Sequence, residues 1–120
     1  MALLNEEERQ EVLDKARNEV GGLLLSGEEI DEVFLLENDY LALTNKRIIF
    51  VDNDPTKINV VVVSLSYYKI LEVGLVKNNR VNIYTGEIVI CTQNNSYTVK
   101  LEKDSDYVGV FNKINSKINL

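Results

Sequence analysis

The chain has 120 residues, enough for one domain with little room for a second. Apolar residues make up 45% and charged residues 27%, which describes a globular protein and excludes a disordered one. With 19 Asp and Glu against 13 Lys and Arg, the formal charge is −6, and a uniform field of that sign repels nucleic-acid phosphates and anionic lipid heads.

The side-chain inventory removes most chemistry. There is no His, the commonest general base and metal ligand. Cys91 is the only cysteine, so no intramolecular disulfide can form, and a nucleophilic thiol would lack its usual His partner. Phosphate-cradling Gly loops, Ser–His–Asp sets and metal-ligand spacings do not occur. The expectation is a protein that is not an enzyme and takes no cofactor and no metal. The start lacks a basic segment followed by an apolar one, and no run approaches the roughly 18 apolar residues that span a bilayer. A cytoplasmic location is the default expectation.

The first element is an amphipathic helix from Asn5 to about Leu24. Asn5 can cap it, and Glu6, Glu7 and Glu8 fill the first turn, where the helix dipole favours anions. Val12, Ala16 and Val20 recur every fourth residue, with Leu13, Leu23 and Leu24 beside them. Gly21-Gly22 is a stop or a kink. This stripe packs either on its own domain or on a neighbouring subunit or partner. Its acidic opposite face argues against a membrane-surface helix, which is usually rich in Lys and Arg. The expected division is a helix over 1–24 and the domain proper over 25–120.

Ser26-Gly27-Glu28-Glu29 reads as a turn and Ile30 to Glu37 as the first strand. After Glu37-Asn38-Asp39 comes a tight hairpin, Tyr40 to Val51, whose arms are rich in β-branched and aromatic residues. Thr44-Asn45-Lys46-Arg47 lies between the arms, and Asn45 suits the turn because Asn tolerates positive φ. Asp52-Asn53-Asp54 faintly resembles a calcium loop but lacks the following Gly and the distal Glu, so with Pro55 it reads as a solvated turn. Ile58 to Leu65 is the strongest strand signal, a continuous apolar run expected to be buried on both faces or covered by another element such as the first helix. Ser66-Tyr67-Tyr68-Lys69 breaks the run, and Ile70 to Val76 forms the next strand. Lys77-Asn78-Asn79-Arg80 is a polar loop. A short strand or edge follows at Val81, Ile83 and Tyr84, then a break or bulge at Gly86. Glu87 to Thr92 and Tyr97 to Leu101 are a last strand pair joined by Gln93-Asn94-Asn95-Ser96. A closing helix, capped by Asp104 or Ser105, carries the stripe Tyr107, Phe111, Ile114 and Ile118.

Helix, about seven consecutive strands and helix make an α+β, mainly β architecture. Short turns favour an antiparallel meander over βαβ units. Such a sheet must curl to bury one face, and the last helix can then plug its open end.

The segment Leu41-Ala-Leu-Thr-Asn-Lys-Arg-Ile-Ile-Phe-Val51 resembles the L-x-L-T-N-K-R hairpin of bacterial pleckstrin-homology (PH)-like domains, including the YokE-like group. Ser64-Leu65 and Ile70-Leu71-Glu72-Val73 are similar to that family's segment after the fourth strand. The resemblance covers about Glu28 to Ile118. It implies a split β-barrel of about seven antiparallel strands closed by a C-terminal helix, with the N-terminal helix as an extra. It also implies a non-catalytic module, and many members self-assemble. Eukaryotic relatives bind phosphoinositides through basic early loops, whereas the corresponding turns here, Glu37-Asn38-Asp39 and Asp52-Asn53-Asp54, are acidic and would repel a phosphorylated head group.

The candidate interaction residues are Lys46 and Arg47, Tyr67 and Tyr68, and the helix stripe Val12, Ala16 and Val20. Lys46-Arg47 serves either an anion or, as the plainer reading, the turn and a sheet edge, where long charged side chains discourage pairing. Tyr67 and Tyr68 pair a ring with a polar tip, a combination that recurs at interfaces. The expected function is a self-associating protein-interaction module, with a protein partner or a second copy as ligand and no nucleic acid. The alternatives are a membrane-surface or lipid adaptor, and an acidic inhibitor of a basic partner protein.

Overall fold

A computed structural model describes residues 5–53 and 56–119. Helix α1 spans Glu6–Gly21, seven strands follow, and helix α2 spans Tyr107–Ile118. Strands β1 (Ile30–Leu35), β2 (Tyr40–Thr44), β3 (Arg47–Asp52) and β4 (Val61–Ser66) form one antiparallel sheet in that order. Strands β5 (Glu72–Asn78), β6 (Ile83–Cys91) and β7 (Ser96–Lys100) form the second. An antiparallel bridge between Leu36 and Leu101 joins the two sheets at the β1–β7 corner, reinforced by the Glu37 amide donating to the Lys100 carbonyl at 2.8 Å.

Period-two alternation sorts the first sheet's side chains onto two faces. Leu41, Leu43, Ile48 and Phe50 point between the sheets, where they meet Ile88, Ile90, Val99, Val110 and Ile114. Tyr40, Ala42, Ile49 and Val51 point the other way, onto Ala16 and Val20 of α1. All of β2 is therefore buried, which is why the first arm of the hairpin, Tyr40 to Leu43, reads as an unbroken apolar run. The layers run α1, first sheet, second sheet with α2. Val20 and Ile114 are each fully buried, and such side chains contribute roughly 1.5–3 kcal/mol apiece.

Caps set the helix ends. The Asn5 side chain accepts the Glu8 amide at 2.8 Å, as its position before three glutamates predicts. Helix α2 is capped by Asp106, whose carboxylate accepts the Gly109 amide at 3.0 Å, and not by Asp104 or Ser105. Asp104 instead takes a positive φ of 69° in the preceding turn.

The Ile58–Leu65 segment departs most from expectation. Its strand begins only at Val61 and is a sheet edge, not a strand covered on both faces. Val63 and Leu65 face the core, while Ile58, Val60, Val61 and Val62 are exposed. Helix α1 covers the outer face over β1–β3, so β4 lacks a lid on that side. Of the break or bulge expected at Gly86, the structure has the bulge: β6 runs through unbroken, Gly86 has a φ of 90°, and the pairing with β5 shifts register between Leu75 and Lys77. Asp54 and Pro55 lie outside the described residues.

Candidate interaction surfaces

The Thr44-Asn45-Lys46-Arg47 segment is tied to a residue sixteen positions upstream. Leu25–Glu28 forms a turn in which Gly27 takes a φ of 76°. The Glu28 carboxylate accepts the Leu25 amide at 2.9 Å, the Thr44 hydroxyl at 2.6 Å, and two nitrogens of Arg47 at 2.9 Å each. Its side chain is fully buried and that of Arg47 is partly buried, at 16% exposure. Arg47 also donates to the Leu23 carbonyl and to the Ser64 hydroxyl. Asn45 bridges the same two segments, accepting the Glu29 amide and donating to the Gly27 carbonyl. One residue set thus locks the α1–β1 connection onto the β2–β3 turn and β4.

A bidentate guanidinium–carboxylate pair of this kind is among the stronger polar contacts, since both charges are hydrogen-bonded in fixed geometry. The hydrogen bonds from Arg47 hold the Glu28 carboxyl down from 4.5 to about 2; burial opposes them, and Thr44, the Leu25 amide and the Arg47 charge assist. Tyr67 completes the cluster by donating to the Thr44 carbonyl at 2.5 Å. Burial, followed by the Asp31 charge, pushes its phenol well above the usual range, and its hydrogen bond only partly offsets this.

The predicted interaction residues separate into two groups. Arg47 is consumed by the lock, and β3 is an interior strand, so Arg47 does not guard a sheet edge. Ala16 and Val20 are buried on the chain's own sheet and are not open to a partner. Tyr67 is partly buried by its bond to Thr44. Lys46, Tyr68 and Val12 remain at the surface, Tyr68 at 83% exposure.

Three further surface features stand out. The first is the unpaired β4 edge with its exposed valines. The second is the β5–β6 hairpin tip, where Val81, Ile83 and Tyr84 are exposed beside Lys77 and Arg80. The Asn78 side chain accepts the Arg80 amide at 2.9 Å and Asn82 takes a φ of 57°, so the tip has a built turn. Lys77 stands 5.6 Å from the centre of the Tyr84 ring. The third is a groove of about 770 Å³ between α1, the β1–β2 turn and the segment before α2. Its walls carry Glu6, Glu37, Asp39, Glu102 and Asp104 against two cations, Arg9 and Lys103. Arg9 is itself paired with Glu102. Val12, Leu36 and Tyr40 form the apolar floor.

The model of the bacterial PH domain family matches residues 2–117. The chain belongs to the bacterial PH domain family. This bacterial PH domain is 32% identical over 84 residues to a Bacillus subtilis (strain 168) protein named "Uncharacterized protein YozO", spanning 70% of this chain and 73% of that one. Two crystal structures share its fold. The PH domain from Shewanella amazonensis SB2B superposes with a TM-score of 0.73 at 21% identity, covering 90% of this chain and 99% of the other. A DUF1696 family protein with a PH domain from Shewanella loihica PV-4 gives 0.65 at 22% identity, covering 88% and 92%. PH domains are in general non-catalytic modules for protein or lipid interaction. Among the described residues of this bacterial PH domain, no helix is long and apolar enough to cross a membrane.

Glu28 was missed as a partner of the Thr-Asn-Lys-Arg motif. The only signal for it is a Ser-Gly-Glu-Glu turn in an acidic stretch, and nothing local says which carboxylate turns inward. The groove was missed because α1, the β1–β2 turn and residues 102–104 meet only in the folded chain.

Proposed function

We propose that this bacterial PH domain is a non-catalytic protein-interaction module that assembles with copies of itself, with the β4 edge as its contact. The observation that carries the reading is that edge. Among the described residues, β4 pairs with β3 on one side and with no strand on the other, and Val60, Val61 and Val62 are 47%, 60% and 42% exposed. Folded proteins usually blunt such an edge with charge, Pro or a bulge, because it can template pairing with another chain. Residues 60–66 carry none of these. A second copy supplies a matching strand with its own valines, giving a two-fold contact of main-chain hydrogen bonds and apolar side chains.

Helix α1 belongs to the chain's own sheet in this reading. Deleting residues 1–24 would expose Tyr40, Ala42, Ile49 and Val51, so loss of the helix cannot report on assembly alone. The acidic β1–β2 and β3–β4 turns weigh against an anionic lipid as the ligand there.

The test is sedimentation velocity on the wild type and on Val60→Lys/Val62→Lys. The reading expects a wild-type mass that is a multiple of 13.7 kDa, and a variant that dissociates yet still unfolds cooperatively, its melting temperature no longer rising with protein concentration. A wild-type monomer at high micromolar concentration would rule the reading out.

A further inference from the structure

We propose that the β5–β6 tip of one copy docks in the acidic groove beside α1 of the next. The inference rests on the self-association reading and adds a second, head-to-tail contact to it.

The two surfaces are complementary in charge, and each carries apolar side chains. Residues 77–84 hold two cations and no carboxylate in a chain of formal charge −6. The groove holds five carboxylates against two cations. Val81 and Ile83 are each 60% exposed at the tip, a cost in water that the groove's apolar floor of Val12 and Leu36 would remove. A volume of about 770 Å³ suits the side chains of a hairpin tip, and the turn built by Asn78 presents them ready-ordered, which lowers the entropy cost of docking.

Tyr40 supplies an independent observation from inside the groove. It is 2% exposed and belongs to the floor, yet its hydroxyl is the one buried side-chain polar atom among the described residues without a hydrogen-bond partner. Burial, then the charges of Glu19 and Asp39, push its phenol up to about 12, so the hydroxyl sits in a negative field. A cationic tip seated in the groove would offset the carboxylates that surround that oxygen.

Tip and groove are different patches, so the contact is heterologous and extends to a ring or a filament. The β4 edges, by contrast, pair two copies and stop. The two contacts are thus separable by mutation.

The experiment compares sedimentation of the wild type, the tip variant Lys77→Glu/Arg80→Glu, the groove variant Glu6→Lys/Glu37→Lys, and an equimolar mixture of the two variants. The expected result is that each variant alone loses the higher assembly, with at least a tenfold weaker association. The mixture should regain it, because reversed tips then meet reversed grooves and native tips meet native grooves. Added salt should also dissolve the wild-type higher assembly. Regained mass in the mixture shows both variants to be folded. Variants that keep the wild-type mass, or a mixture that stays dissociated, overturn the tip–groove contact while leaving edge pairing intact. A wild type that is monomeric throughout overturns both.

Discussion

Replacing Glu28 with Gln tests the lock most directly. Gln keeps the shape and one acceptor oxygen but removes the charge that holds two Arg47 nitrogens. The folded chain holds the Glu28 carboxyl at about 2 instead of 4.5, and at roughly 1.4 kcal/mol per tenfold change in proton affinity that corresponds to about 3 kcal/mol of stability. The folded value is the lower one. The contribution is therefore complete above about pH 4.5 and is lost as the pH falls through 4.5 toward 2. Arg47 does not become wholly unpaired in the variant, since the Leu23 carbonyl and Ser64 still accept from it. The expected loss at pH 7 is accordingly about 2–3 kcal/mol, or about 10 °C in melting temperature for a chain of this size. Urea unfolding at pH 7 and at pH 2.5, on wild type and variant side by side, measures it. The gap between the two should shrink sharply at the acid end. Equal midpoints at pH 7, or a gap that does not change between the two pH values, would refute the assignment of the Glu28–Arg47 pair as the stabilising lock.

Tyr67→Phe removes the hydrogen bond to the Thr44 carbonyl and should cost about 1 kcal/mol in urea unfolding at pH 7. Tyr40→Phe should do the reverse: removing an unpartnered buried hydroxyl should raise stability by about 1 kcal/mol, measured by thermal melting at high salt. Gly86→Ala should destabilise by about 1–3 kcal/mol in the same assay, because φ is 90° there and the new Cβ would lie 3.0 Å from the Tyr107 ring. An alanine variant as stable as the wild type would mean that β6 can relax at its bend.

Much of the fold was legible in the chain because local physics specified it. Asn5 before three glutamates capped α1 as expected, and the closing helix placed Tyr107, Phe111, Ile114 and Ile118 on the core. The hairpin turned at Thr44–Arg47 as expected, but through the Thr44 hydroxyl, which accepts the Lys46 and Arg47 amides; Asn45 takes no positive φ, and its side chain reaches Gly27 and Glu29 instead. Periodicity, caps and turn chemistry act over a few residues, so they can be read in order along the chain. The PH resemblance also rested on such a stretch, Leu41 to Val51, and the family match extends it to residues 2–117.

What only the tertiary structure decided was which faces met. The same apolar run reads alike at the centre of a sheet and at its edge; β2 and β3 are buried on both faces because α1 reaches them, and β4 is open because α1 does not. The motif's Arg47 looked like a surface cation until Glu28, nineteen residues earlier, was brought against it. The groove joins residues from both ends of the chain, which no single stretch of sequence displays. Burial and charge pairing are properties of space between segments, and a sequence states only the segments.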